Sequence, residues 1–119
     1  MSAVTLINCF EVPAGRENEF FALFQQVNNH MRAKKGYLSH KMHRSLAPDA
    51  PYRFVNVVQW ASFEDFKAAH DRDFLAMVNR PEWADFHSTP AVYEVVHEAS
   101  AAATNIPFSE QSFPSSSDN

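Results

Sequence analysis

The chain is poor in the residues on which several large classes of protein depend. Its 119 residues include one cysteine, Cys9, and two glycines, Gly15 and Gly36. A single cysteine excludes an internal disulfide and fits a reducing compartment, so we expect a cytoplasmic protein. Two isolated glycines cannot form the glycine-rich loop that holds the phosphates of a nucleotide.

Long apolar runs and a surplus of positive charge are absent as well. No apolar run approaches the ~18 residues of a transmembrane helix, and the first residues lack the pattern of a secretory signal. The net charge is −4 with no basic stripe, so we expect neither nucleic acid nor membrane as a partner. A hydrophobic content of 45% and a charged content of 20% are typical of one globular domain.

Hydrophobic periodicity predicts four strands and two helices. The predicted strands are residues 4–12, 37–46, 52–60 and 90–98. The first helix begins at Arg16 and ends at Gly36, and apolar residues recur along it at Phe20, Phe24, Val27 and Met31. The second helix begins after Ser62 as N-cap, breaks near residues 71–73 and resumes to about Asn79, and residues 81–89 are predicted to be irregular.

The resulting order, β-α-β-β-α-β, is that of the ferredoxin-like α+β fold, an antiparallel sheet with both helices on one face. We assign residues 1–98 to this domain. The alternate residues of the first and third strands, Ile7, Cys9, Val55 and Val57, keep the other face apolar. A second copy packed sheet to sheet would bury that face, so we expect a homodimer.

Residues 99–119 have a different composition, dominated by serine, proline and alanine. Such a segment predicts no packed core element. Two alternatives remain for this tail. It is either a disordered terminus or an arm laid over the partner subunit, with Ile106, Phe108 and Phe113 as apolar anchors.

Polar groups on the third strand point to a candidate site. Phe54, Asn56, Val58 and Trp60 share one face of the strand. The amide of Asn56 and the indole N–H of Trp60 need hydrogen-bond partners when they are buried. Either a flat, partly polar ligand or the backbone of the domain can supply these partners.

A histidine on the second helix is the second candidate. Phe63, Phe66, His70 and Phe74 recur at spacings of three and four and predict one helical stripe. His70 is then either a pocket residue or a core histidine bonded to backbone. His40 is expected to be hydrogen-bonded or exposed. No pair of histidines has the spacing of a metal site, so we expect no metal.

Three segments carry a resemblance to a known family. Residues 4–20, which contain Glu11-Val-Pro-Ala-Gly15, residues 32–38, and residues 52–66, which contain Gln59-Trp-Ala-Ser62, resemble antibiotic-biosynthesis-monooxygenase domains. The resemblance extends over roughly residues 3–98. It implies a dimeric α+β barrel with a pocket between sheet and helices in each subunit.

One branch of that family degrades haem and has an Asn on the first strand, a helical Trp and an axial His. This chain has Asn8 in the first position, but Ala69 and Asn79 where the Trp and the His would lie. The resemblance therefore disfavours a haem monooxygenase. His70 could replace the axial ligand only with a change of helix register.

A second branch makes quinones from polycyclic aromatics without metal or flavin. Its Asn and Trp resemble Asn56 and Trp60, its Arg resembles Arg80, and Phe66 replaces its Tyr. A third branch, of quinol monooxygenases and isomerases, has a His that His70 resembles after a one-residue slip. The comparison favours the second branch.

These observations lead to the hypothesis of a cofactor-independent monooxygenase that oxidises an electron-rich phenol, quinol or anthrone with O2. His70 would be the base, Asn56 and Trp60 would hold the substrate oxygens, and Arg80 or Asn8 would stabilise the anion. Arg80 is alternatively a solvated cation at a helix end. The remaining substrate-binding residues would be Phe54, Phe66 and Phe74. The alternatives are a non-oxygenating binding protein, cyclase or isomerase of the same fold, and a haem-binding or haem-degrading protein.

Overall fold

The structure, a computed structural model, describes residues 2–102, so most of the predicted tail lies outside the described residues. Four strands form one antiparallel sheet in the order β2-β3-β1-β4. They are β1 (Val4–Glu11), β2 (Tyr37–Arg44), β3 (Phe54–Trp60) and β4 (His87–Tyr93). The helices are α1 (Glu17–Met31), α2 (Phe63–Ala69) and α3 (Arg72–Val78), followed by a 3-10 turn at Pro81–Trp83. The predicted ferredoxin-like α+β fold is confirmed.

The face of the sheet that the helices cover carries two apolar clusters. The first consists of Phe10, Phe20, Leu23, Phe24, Phe54 and Phe86, and the second of Leu6, Met31, Val58, Trp60 and Ala69. Phe20 of α1 is fully buried, and its ring lies 4.8 Å from that of Phe10 and 5.1 Å from that of Phe54. Asn8 and Asn56 are opposite each other on β1 and β3 between the clusters, so polar side chains occupy the middle of an otherwise apolar face.

The second predicted helix consists of two short helices, α2 and α3, because each has its own capping side chain. Ser62 Oγ accepts a hydrogen bond from the Asp65 amide at 3.0 Å, and Asp71 Oδ1 accepts one from the Phe74 amide at 3.0 Å. The predicted break near residues 71–73 is confirmed, one residue earlier than its stated start. His70 is the C-cap of α2, with φ −88° and ψ 64°. It therefore lies in the elbow between α2 and α3 and not on a continuous helical stripe.

The boundaries of the fourth strand were predicted wrongly. β4 begins at His87, which is paired with Glu11, and ends at Tyr93, which is paired with Thr5. The pairing with β1 sets the start and the end of β4, and the composition of β4 does not. Pro90 lies inside β4 and is tolerated because β4 is an edge strand, where a missing N–H faces no neighbour.

The face of the sheet away from the helices is apolar at its centre, as the alternation predicts. Ile7, Cys9, Val55 and Val57 lie there and are half-buried in the single chain. What covers this face stays a prediction. Among residues 2–102, no helix combines the length and the apolar character required to cross a membrane.

The first testable prediction concerns Gly36, which joins α1 to β2. Its φ is +87°, its carbonyl accepts a hydrogen bond from the Ala61 amide at 2.8 Å, and an added Cβ would collide with the side chain of Asp65. We expect Gly36→Ala to lower the free energy of unfolding by more than the ~1–2 kcal/mol of left-handed strain alone. Urea denaturation measures the loss.

Gly15→Ala is the matched control for this substitution. Gly15 has a similar φ of +84°, but nothing lies within 4 Å of its added Cβ. Its loss is therefore limited to backbone strain. Equal losses for the two variants would contradict the close packing of Gly36 against Asp65.

Candidate functional site

A cavity of about 460 Å³ lies between the sheet and the helices. Its volume falls within the range of small-molecule sites. Aromatic side chains form much of its wall: Phe10, Phe24, Tyr37, Trp60, Phe66, Phe74, Trp83 and Phe86. The polar residues around it include Asn8, Asn28, Asn56, His70, Asn79 and Ser88. Within the described part of the chain, no Asp, Glu, Lys or Arg lines the cavity.

Two fully buried side-chain atoms of lining residues have no hydrogen-bond partner within residues 2–102. They are Nε1 of Trp60 and Oδ1 of Asn8, both buried. Trp60 is only 1% exposed. A buried polar group without a partner costs about 1–3 kcal/mol. A molecule that offers an acceptor to Trp60 and a donor to Asn8 would remove that cost.

His70 contributes a free ring nitrogen beside Trp60. Its Nδ1 donates a hydrogen bond to the Phe66 carbonyl at 2.7 Å, and its ring centroid lies 5.7 Å from that of Trp60 and 4.7 Å from that of Phe74. Nε2 of the neutral ring is therefore left as an acceptor. Burial lowers the pKa of His70, against smaller opposite effects of the Phe66 carbonyl and the Asp71 carboxylate. Both sequence interpretations apply, since His70 is bonded to backbone and also lines the cavity.

The elbow that carries His70 is fixed to the turn that follows α1. Asp71 Oδ2 accepts a hydrogen bond from Lys34 Nζ at 2.8 Å, while its Oδ1 caps α3. The Lys34 ammonium and the Phe74 amide lower the pKa of Asp71 to about 2. The carboxylate is thus ionised at neutral pH, and it holds together the residues that position His70.

Asn56 has a protein partner for one end of its amide. Its side chain is 7% exposed, and its Oδ1 accepts a hydrogen bond from His40 Nδ1 at 2.9 Å. His40 is therefore hydrogen-bonded, one of the two alternatives expected for it. Sequence reasoning did not give it a part in the site, although its position on the face of β2 shared with Met42 was a usable signal.

The structure does not bring every predicted site residue to the cavity. Asn8, Asn56, Trp60, Phe66, His70 and Phe74 line it. Phe54 packs in the first apolar cluster instead. Arg80 is exposed, and its guanidinium donates to Glu82 at 3.1 Å and to Gln26 at 3.3 Å. Because Arg80 is engaged at the surface, we give it no role in the site.

Sequence reasoning also missed several polar lining residues, of which Tyr37 is the most informative. Tyr37 is opposite Trp60 across β2 and β3, and the two rings meet edge to face at 5.4 Å. Its hydroxyl donates to Asn28 Oδ1 at 2.9 Å. The only feature of the sequence that could have indicated Tyr37 as a lining residue is its place directly after Gly36 at the start of a strand.

A second depression, of about 610 Å³, lies at the end of the sheet near Glu11 and Arg53. Its polar side chains have partners: Arg53 Nε lies 3.5 Å from Glu17 Oε2, Arg53 Nη1 donates to the Ser45 carbonyl at 2.8 Å, and His87 Nδ1 lies 3.3 Å from Glu11 Oε2. None of its described lining atoms is both buried and without a partner. The first cavity is therefore the candidate site.

The fold and the cavity together define a ferredoxin-like α+β domain with an aromatic-walled site between its sheet and its helices. Residues 3–89 match the family model described as antibiotic biosynthesis monooxygenase. The chain therefore belongs to the antibiotic biosynthesis monooxygenase family. The comparison with curated proteins gave no significant match.

Solved structures agree with this family. A candidate monooxygenase from Shewanella loihica PV-4 is 31% identical, with a TM-score of 0.72 over 82% of this chain and 97% of that one. SnoaB, a cofactor-independent oxygenase from Streptomyces nogalater, is 22% identical, with a TM-score of 0.69 and the same coverage, and supports the fold alone. MhuD, a haem degrader from Mycobacterium tuberculosis seen with two haems, is 25% identical, with a TM-score of 0.62 over 82% of this chain and 99% of that one.

Proposed function

We propose that the protein is a cofactor-independent monooxygenase that oxidises an electron-rich phenol, quinol or anthrone with O2. One observation carries the proposal. The free Nε2 of His70 and the unpartnered N–H of Trp60 belong to neighbouring rings of one aromatic cavity. A base beside a hydrogen-bond donor is what the deprotonation of a hydroxyaromatic compound requires.

The lining residues suit a flat, uncharged substrate. Phe66 and Phe74 offer apolar ring contacts. Trp60 Nε1 and Asn56 Nδ2 can donate hydrogen bonds to substrate oxygens, and Asn8 Oδ1 can accept one from a hydroxyl. A substrate with both hydroxyl and carbonyl oxygens would satisfy all three.

The proposed reaction starts with proton transfer from the substrate to His70 Nε2. The resulting anion is stabilised by resonance and by the donors of Trp60 and Asn56, and it gives one electron to O2. The superoxide and the substrate radical combine to form a carbon–oxygen bond, and the peroxide takes the proton back from His70. For an anthrone, loss of water from the hydroperoxide then leaves the quinone, so one O2 yields one carbonyl oxygen and one water.

The lowered pKa of His70 and the apolar wall of the cavity both favour the proposed proton transfer. Because burial lowers the pKa of His70, the ring is neutral at neutral pH and can accept a proton. An apolar wall excludes bulk water and strengthens each hydrogen bond to the developing anion. By its resemblance to the quinone-forming branch, the chain has Phe66 in place of that branch's tyrosine, which leaves His70 as the proposed proton acceptor.

Haem binding is the second candidate, supported by the free Nε2 of His70 and the presence of Asn8. A porphyrin carries two carboxylates, and no Lys or Arg among residues 2–102 lines the cavity. The lining therefore fits haem less well than a neutral aromatic. A Soret band with saturating, one-step binding in a haem titration would favour haem. A non-oxygenating cyclase or isomerase would instead turn over substrate without consuming O2.

We further propose that the protein is a homodimer joined through the apolar face of the sheet. Ile7, Cys9, Val55 and Val57 form the centre of that face, and burying it in a second copy is favourable. Sedimentation velocity is expected to show a dimer at micromolar concentration, and Val57→Asp is expected to dissociate it. A stable wild-type monomer would contradict the proposal.

Replacing His70 tests the base. We expect His70→Ala to lower kcat for a model anthrone by roughly 10²–10⁴-fold, the usual contribution of a general base. Oxygen uptake measures the rate, and wild-type kcat/KM is expected to fall only below the ordinary pKa of histidine, because burial lowers that of His70. His87→Ala, an exposed histidine paired with Glu11, is the control. Oxidation by His70→Ala at the wild-type rate would remove His70 from the mechanism.

Replacing Trp60 by Phe tests the hydrogen-bond donor. The variant keeps most of the ring packing against Tyr37 and His70 and removes Nε1. We expect kcat to fall by roughly 10²-fold, the scale of a lost oxyanion donor. We expect some loss of thermal stability, because Phe is smaller than the buried ring of Trp60, but none from a broken hydrogen bond, since Nε1 has no partner within residues 2–102. A large loss of stability with unchanged turnover would mean that Trp60 is only a core residue.

A further inference from the structure

Asn56 is held by a histidine that approaches it from the neighbouring strand. His40 lies on β2 opposite Val58, and Met42 is opposite Asn56, so His40 reaches Asn56 diagonally. Its Nδ1 is 2.9 Å from Asn56 Oδ1, and its ring centroid is 5.5 Å from that of Phe24. The contact joins an edge strand to the cavity wall through one hydrogen bond.

The chemistry of this bond decides which end of the amide faces the cavity. A carbonyl oxygen can only accept, so the hydrogen must be on His40 Nδ1. With Oδ1 engaged by His40, the Nδ2–H₂ group of Asn56 is the end left for a ligand, and no other described residue bonds to it. Without His40, the amide could rotate by a half turn and exchange its donor and acceptor ends, since the two ends have nearly the same size.

We propose that His40 is a positioning residue of this site, which fixes Asn56 as a hydrogen-bond donor toward the cavity. The proposal rests on the proposed function in one respect, namely that the ligand carries a developing negative charge on oxygen. A donor stabilises such an oxygen, while a rotated amide would oppose it with its own carbonyl oxygen. His40 thus acts on the reaction only through Asn56.

The tautomer of His40 is a test that needs no ligand. In ¹⁵N-labelled full-length protein at a pH where the ring is neutral, long-range ¹H–¹⁵N spectra distinguish the Nδ1–H from the Nε2–H form. We expect the Nδ1–H tautomer for His40. The Nε2–H tautomer, which free imidazole side chains generally prefer, would overturn the proposal, because that ring could not donate to Asn56.

The second test uses 4-nitro-1-naphthol, a chromogenic hydroxyaromatic whose nitro group makes it electron-poor and a weak reductant of O2, to measure how strongly the cavity stabilises a bound anion. Its absorbance reports its ionisation when bound. We expect His40→Ala to raise the pKa of the bound probe and to make the anion bind about tenfold less tightly than in the wild type. His40→Asn keeps an N–H donor at the δ position and should restore most of the effect.

His43→Ala is the matched control, because His43 lies on the same strand, is exposed and bonds only to the Val55 carbonyl at 3.2 Å. A double-mutant cycle of His40→Ala with Asn56→Ala should be strongly non-additive, since His40 works through Asn56. Additive effects, or equal losses in His40→Ala and His40→Asn, would reduce His40 to a packing residue.

Kinetics separate this inference from the proposed function. In turnover with an anthrone, His40→Ala should lower kcat with little change in KM, because the oriented donor acts mainly on the anion. If the wild type consumed no O2 but the tautomer and the probe behaved as expected, the proposed reaction would fail and the role of His40 would stand. A changed KM with an unchanged kcat in His40→Ala would contradict the proposed role of His40.

Discussion

The packing of Trp60 against the elbow between α2 and α3 is the contact on which the rest of the site depends. Trp60 is the last residue of β3, and its ring meets Tyr37, Phe66 and His70 at centroid distances of 5.4, 6.3 and 5.7 Å. One fully buried side chain therefore connects the sheet, the start of β2 and the elbow. Its indole nitrogen has no hydrogen-bond partner among residues 2–102, so the same residue packs in the core and lines the cavity.

The cavity is lined in part by residues of two short helices, α2 and α3. His70 is the C-cap of α2 and Asp71 is the N-cap of α3, so the second helical segment is divided at these two residues. Neither α3 nor the 3-10 turn after it contributes a buried residue. Within residues 2–102, Asn8 Oδ1 and Trp60 Nε1 remain unpaired at a cost that a purely structural core would avoid.

Charge is kept out of the cavity and placed around it. The ion pair of Lys34 with Asp71 stabilises the elbow from outside, whereas the lining itself is neutral. In such surroundings each hydrogen bond is electrostatically stronger than in water, and an unpaired group is correspondingly more costly. In the proposed chemistry, a neutral histidine next to an unsatisfied donor would act on the substrate without metal or flavin.

The sequence by itself determined the features that depend on neighbours along the chain. The alternation of Phe54, Asn56, Val58 and Trp60, the apolar stripe of α1 and the cap at Ser62 all follow from the local geometry of strands and helices. For the same reason the sequence predicted which face of β3 carries the polar candidates. It could also locate His70 near them, since its distance along the chain from Trp60 is short.

Only the tertiary structure decided what those side chains meet. An irregularity in the pairing between Tyr37 and Ser39 shifts the register of β2, so Leu38 is exposed while His40 reaches Asn56. The pairing of β4 with β1 set the start of that strand, and contacts with Gln26 and Glu82 kept Arg80 at the surface. Apart from the contact of Arg80 with the neighbouring Glu82, these outcomes depend on residues distant in sequence. The strand pairings depend in addition on a register in which a shift of one residue reverses the two faces, so no local pattern could predict them.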